Sequence, residues 1–452
     1  TDPPPADRWP LAGEAGSVTG SDFAWKSRAH LGYHTTTPDR ATIRPARTHD
    51  RQDAPRLTRQ TLTDQIERFA IADGGPFVEL QQRLGLLEAK AAAAPRRAAI
   101  LVAIAFGVPL VLAVLGGHAW GPAAERPFLL DWGIWARFVV AIAVFVLMER
   151  MVNERLRVHL RQFAETPLLA PGAMPAAAEA VSRALRRRDL PLAELVCVVL
   201  AYAITFGGTV ALRGSATTAW LVEGADATLG LSAAGWWVML VSNPLFWFLL
   251  LRWLWRHLVW ALLLRDIASL ELRLVVTHPD GLGGLAFIGQ YPNAFAALVF
   301  AMSAVLGAAV ANAFQHDALE LAGYGYMMGT WLTMVLALFG LPLFAFHRPL
   351  VALKRQALLA ATAAATRHFR AAERATLGGN LAAAADADDK AVADIPNPTA
   401  IYAAAKNLRT LPFSREALGP VAAAALLPLV LAGATRLPFA ELWKIARKLL
   451  LL

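Results

Sequence analysis

WWVMLVSNPLFWFLLLRWLWRH, residues 236–257, decides the fold of this chain. The run from Trp236 to Trp255 covers about 28 Å of helix at ~1.5 Å per residue. A bilayer's hydrocarbon core is about 30 Å thick, so one helical pass fits. Indole rings mark both boundaries, and Arg252, Arg256 and His257 gather at one of them, which is the aromatic-belt and charge pattern of a membrane span. The helix is predicted to continue as WALLLRDIASLELRLVV and to stop at the turn cluster Thr277-His278-Pro279-Asp280-Gly281. GLGGLAFIGQYPN follows, then a second apolar run, Ala294 to Phe314. The remaining segments are placed around this hairpin.

Composition agrees with that reading. Of 452 residues, 56% are hydrophobic and only 17% charged, with a mean hydropathy of +0.44; soluble domains carry about 25% charged residues. The net charge of +9 is not a nucleic-acid footprint, because the basic residues flank the apolar blocks, where they set topology and meet anionic head groups. The expected partners are therefore the bilayer, its anionic lipids and further copies in a homo-oligomer, and no nucleic acid. The lone Cys197 lies in an apolar run, which excludes an intrachain disulfide and leaves no basis for a thiol–metal site. Abundant alanine and arginine match a GC-rich bacterial genome.

In chain order, residues 1–57 are polar and rich in Pro, Thr, Asp and Arg, and are predicted to be a disordered tail. Residues 58–97 read as amphipathic helices: one opens at Thr61-x-x-Asp64 and ends at Gly74-Gly75-Pro76, and the next runs from Phe77 to Ala94. Six spans are expected within 98–349, at about 98–117, 132–148, 195–212, 236–255, 294–314 and 326–346. Arg150, Arg155, Arg157, Arg161 and Arg183 to Arg188 crowd the connection after the second, while the alternate loops hold only Arg126 and Arg213 against six acids. The positive-inside rule then puts both termini in the cytoplasm of a plasma (inner) membrane protein. Residues 350–452 form a cytoplasmic C-terminal region: an Ala-rich helix, a polar linker, a short apolar segment at 418–434 placed at the inner face or as a re-entrant half-helix, and an amphipathic helix at 438–452. The fold class is all-α and polytopic.

Candidate functional residues fall in two groups. Asn243-Pro244 interrupts the fourth span, because proline removes a backbone bond and leaves a free carbonyl; such backbone lines cavities in transporters, or is a packing kink re-satisfied by neighbours. Pro109 and Pro342 pose the same choice. Arg137, about 7.5 Å inward from Trp132, needs a partner such as Asp131 or Asp317. Glu149 and Glu194 face the same need and could meet Arg252 or Arg256. Asn293 and Asn312 bracket a small-residue stripe, Ala297 to Ala311 with Gly307, suited to close helix packing. The second group is the turn His278, Asp280, Gly283 and Gly284. It is a metal or anion site if the side chains and Gly-rich backbone converge, or a tight turn in which Asp280 caps the next helix.

No HExxH, CxxC, GxSxG or phosphate-loop pattern occurs, so no cofactor or catalytic residue is assigned and an enzyme is disfavoured. The leading expectation is an oligomeric channel or transporter with its pathway near spans four and five. Internal repeats and paired intramembrane acids, common in transporters, are not evident. The rival is a non-conducting scaffold or sensor that binds a partner through its cytoplasmic arms. A third reading is an intramembrane enzyme using His278 and Asp280.

Overall fold

The computed structural model describes residues 60–85, 93–121, 127–211, 220–221, 230–316, 321–382, 396–413 and 415–435, with Trp443 and Arg447. Among them six helices are long and apolar enough to cross a membrane: Ala94–Leu115, Trp132–Glu165, Pro191–Gly208, Ala233–Ala268, Ala286–Phe314 and Gly323–Leu377. These are the first to sixth spans below. An antiparallel bridge, Leu169 with Leu272, ties the connection after span two to that after span four. The predicted tail 1–57 and most of the predicted helix 438–452 lie outside the described residues.

Several helices run further than hydropathy alone indicates. Span two continues well past Met148 because Val152, Leu156, Leu160 and Phe163 remain buried at three- to four-residue spacing, so the helix keeps a core-facing stripe after its outer face turns charged. Span four carries buried Trp260, Leu263, Leu264 and Ile267 to its end at Ala268, but it stops short of the turn cluster at Thr277 expected to end it, and residues 270–276 are not helical. Span five begins earlier than Ala294, as a 3₁₀ segment Ala286–Phe295 that accommodates Pro292. Span six bends at Leu341–Phe346, a 3₁₀ turn containing Pro342, and re-emerges as the helix His347–Leu377, closed by Gly378 at φ +79°. The helix expected from Phe77 to Ala94 is shorter: Pro76–Arg83, followed by Gly85 at φ +67°.

Two ends of the bundle are distinguishable. Arg97, Glu149, Glu194, Arg252 and Arg256 mark one, here the basic end; Asp131, Arg137 and Tyr324 lie toward the other. The helix Arg415–Gly433 packs among the spans. Pro412 sets its carbonyl directly over Gly289, and Pro428 places its own 2.8 Å from where a Cβ on Gly307 would stand. Tyr324 donates its hydroxyl to the Leu429 carbonyl at 2.7 Å. Gly307 therefore serves the close approach that its small-residue neighbourhood permits.

Candidate functional site

The densest polar assembly lies at the basic end, where charges from four spans meet the N-terminal hairpin, residues 60–83. Glu149 of span two accepts from Arg97 of span one at 2.6 Å and from Arg256 of span four at 3.4 Å. Glu194 of span three accepts from Arg252 at 2.8 Å. The side chains of this second pair are 4% and 9% exposed, a depth at which an ion needs nearly all its hydrogen bonds met. The hairpin meets them. Arg252 donates to the Gly74 carbonyl at 2.7 Å and Arg256 to that of Ala72; Arg157 and Arg188 donate to those of Phe69 and Ala70. In return, Glu194 accepts from the Phe77 amide at 2.7 Å and Asn153 from the Ala72 amide at 2.8 Å. Arg97 also donates to Gln81 at 3.0 Å, and the Arg252 guanidinium lies 5.1 Å from the Phe77 ring centroid.

Gly74 and Gly75 make this docking possible. Gly75 sits at φ +90°, and a Cβ there would strike the Glu194 carboxylate; one on Gly74 would strike Arg188 and Asp189. From sequence alone Gly-Gly-Pro reads only as a helix stop, and Glu149 and Glu194 are expected to meet Arg252 or Arg256 without the hairpin. Arg97, Asn153, Arg157 and Arg188 went unassigned, since their carbonyl and side-chain partners are distant in sequence. The available signal was the excess of arginine over acid beside a glycine pair.

Toward the opposite end, three of the five pathway candidates come together. Arg137 donates to the Asn243 side chain at 3.3 Å and to the Gly133 carbonyl at 3.1 Å. Asp131 accepts from the Gly133 amide at 2.9 Å and from Asn312 at 3.5 Å. Asp131 thus caps span two, and the contact it makes with Arg137 is a shared neighbourhood at Gly133, not a direct ion pair; Asp317 lies outside the described residues. Asn293 stands apart at the basic end, where its backbone carbonyl accepts from Arg155 at 2.7 Å.

The carbonyl released by Pro244 is occupied. A proline at position i deprives the carbonyl at i−4 of its helical donor, here that of Leu240, which accepts from Tyr202 of span three at 3.1 Å. Pro109 releases Ala105, whose carbonyl accepts from Ser242 of span four at 2.7 Å. Pro342 releases Leu338, whose carbonyl accepts from His257 at 3.0 Å, with Tyr291 donating to the adjacent Phe339 carbonyl at 2.5 Å. Spans one and four also absorb their prolines through π-helical segments just before them, Ala103–Gly107 and Val238–Ser242. Each of these three kinks is sealed by a side chain from another span, as lipid-buried backbone requires.

In the turn, the Asp280 carboxylate accepts from the amides of Leu282 (2.8 Å), Gly284 (3.1 Å) and Ala286 (3.0 Å), with His278 Nδ1 2.8 Å away. Partial burial pushes its pKa up, but those three amides and His278 outweigh it and hold the carboxyl below the ordinary Asp range. Gly283 and Gly284 have φ of +67° and +100°, and a Cβ on Gly284 would lie 2.9 Å from Leu168. Arg409 donates to the Asp280 carbonyl at 2.9 Å, which fastens the turn to the C-terminal region. The oxygens of Asp280 are thus engaged by the start of span five. Among the described residues no three His, Cys, Asp or Glu side chains converge as a metal site would need.

Six long apolar helices around a buried core define an all-α polytopic integral membrane protein. No protein-family model matches the chain, and no curated protein or solved structure is similar to it.

Proposed function

We propose that the protein is a non-conducting membrane scaffold or sensor whose N-terminal hairpin, residues 60–83, is the element that reports on the state of the bundle. One observation carries this reading: the buried Glu194, Arg252 and Arg256 of spans three and four, with the half-buried Arg157 of span two and Arg188 of the helix that follows it, are directed at the backbone of residues 69–77. Charges that served conduction would instead line a route between the two ends, and the proline-released carbonyls that could line one are taken by side chains. A hairpin whose backbone is held by charged side chains can be released as a unit when a partner or a change in the spans competes for those charges. In this proposal the basic end faces the cytoplasm of a bacterial inner membrane, as the arginine distribution favours.

The test is hydrogen exchange on the protein in nanodiscs, together with flux assays in proteoliposomes. The proposal expects strong protection of the amides of Ala72, Asp73 and Phe77, and ion or solute permeation no greater than that of empty vesicles. Permeation that disappears in Asn243→Leu would overturn it.

That outcome would favour the second reading, an oligomeric channel or transporter. Its specific support is the Arg137, Asn243, Asp131 and Asn312 cluster, which brings polar groups from spans two, four and five together inside the bundle.

A further inference from the structure

We infer that the face of the sixth helix where it leaves the bundle, centred on Arg348 and Arg355, is a binding site for an anionic phospholipid. The inference holds under either reading of function. A shallow groove runs along this face, lined by Arg348, Val351, Arg355 and Leu359. Their spacing of three to four residues makes one stripe, and the same spacing continues backward through Phe344 and Leu341. Those two are 49% and 64% exposed, in a helix whose inner face (Leu343, Phe346, Leu350) is fully buried. The exposed stripe therefore changes from apolar to basic between Phe344 and Arg348, which is the sequence of surfaces met by an acyl chain and then its head group.

Charge supports one occupant. Lys354, Arg370 and Arg374 donate to carbonyl or amide oxygens of the C-terminal region. Among the described residues Arg348 and Arg355 have no ion pair or hydrogen bond. No Asp or Glu occurs in the helix before Glu373. Two cations within two turns, on a stretch of helix without an acid and with an apolar stem leading into the bilayer, match a phosphodiester carrying net negative charge. A zwitterionic head group would bring its own cation against them, and a free phosphate would leave Leu341 and Phe344 unused.

The experiment uses the full chain with Cys197→Ala and Val351→Cys, labelled with bimane and reconstituted in nanodiscs. Quenching by spin-labelled phosphatidylglycerol is compared with quenching by spin-labelled phosphatidylcholine. Each arginine at an anionic surface favours the charged lipid roughly fivefold, so the inference expects at least a several-fold preference for phosphatidylglycerol. That preference should fall to near unity in Arg348→Gln/Arg355→Gln, and millimolar inorganic phosphate should not displace the lipid. Arg150→Gln/Arg155→Gln, another exposed arginine pair at the same end, should leave it unchanged. Equal quenching by the two lipids, or a preference that survives the 348/355 double substitution, would overturn the site; displacement by inorganic phosphate would show a small-anion site instead.

Discussion

Glu194 is the residue whose loss should separate the hairpin from the bundle. Replacing it with alanine removes the carboxylate 2.8 Å from Arg252 and the acceptor 2.7 Å from the Phe77 amide. Breaking a buried ion pair by deleting one partner costs about 3–5 kcal/mol, because the other charge stays desolvated. Arg252 keeps the Gly74 carbonyl and the Phe77 ring, so the lower end of that range is expected. Unfolding in mixed micelles would measure it, and hydrogen exchange would locate it. The Phe77 amide should lose protection while the Ala72 amide, held by Asn153, keeps more of its own. The pair variant Glu194→Leu/Arg252→Met sharpens the argument. Exchanging both ions for apolar groups is often neutral for the bundle, yet it also strips the hairpin of its two anchors at Gly74 and Phe77. Global stability should recover and hairpin protection should not. A single variant that loses less than about 1 kcal/mol with unchanged exchange at Phe77 would refute the idea that these charges clasp the hairpin to the bundle.

Ser242→Ala should cost about 1–3 kcal/mol by leaving the Ala105 carbonyl without a donor, and much less in a Pro109→Ala background, where an amide at 109 can take over; a double-mutant cycle in micelles measures the coupling. Gly75→Ala should expose the hairpin to proteolysis, because its Cβ meets Glu194, whereas Gly85→Ala, also at positive φ but with open space around its Cβ, should cost only about 1–2 kcal/mol. Folding lowers the pKa of Asp280, so its stabilisation is complete above the unfolded value of ~3.9 and is lost as pH falls through the lower folded value. Asp280→Asn should therefore reduce stability near neutrality by about 1–3 kcal/mol and flatten the acid limb of a stability–pH curve.

What sequence makes legible here follows from the range of each interaction. The spans are legible because twenty apolar residues have few alternatives in water or lipid, and the Asp280 turn because its acceptor and donors lie within six residues. The clasp is not, although each of its parts is visible: Arg252 seeks any nearby acid, and nothing local says that Gly74, 178 residues away, completes its shell. The prolines show the same limit. Pro109, Pro244 and Pro342 announce freed carbonyls, but whether Ser242, Tyr202 and His257 reach them depends on which spans are neighbours. Local periodicity also shortens span two, since it ends that span where charges begin, and its buried stripe continues beneath them.

The helix Arg415–Gly433 puts two physical arguments in opposition. The charge rule keeps Lys444, Arg447 and Lys448 on the same side as the other basic segments, and so favours a segment that enters the bilayer and returns. Packing points the other way. Phe413 sits at the basic end, its ring 5.8 Å from that of Phe344 and 3.3 Å from a Cβ on Gly340. Sixteen residues later, Leu429 receives Tyr324 near the start of span six. At ~1.5 Å per residue that is about 24 Å of travel along the membrane normal, most of a hydrocarbon core about 30 Å thick. The face turned away from span five carries Leu427 and Leu431, 52% and 61% exposed, which suits acyl chains and not water. Three cations a full turn or more beyond a helix end can snorkel to head groups, so they weaken a crossing without forbidding it. The helix should therefore traverse the bilayer. In a Cys197→Ala background, Arg409→Cys and Thr435→Cys should react with a charged thiol reagent from opposite sides of sealed vesicles. Labelling of both from one side would show a re-entrant hairpin, and the charge rule would have prevailed over packing.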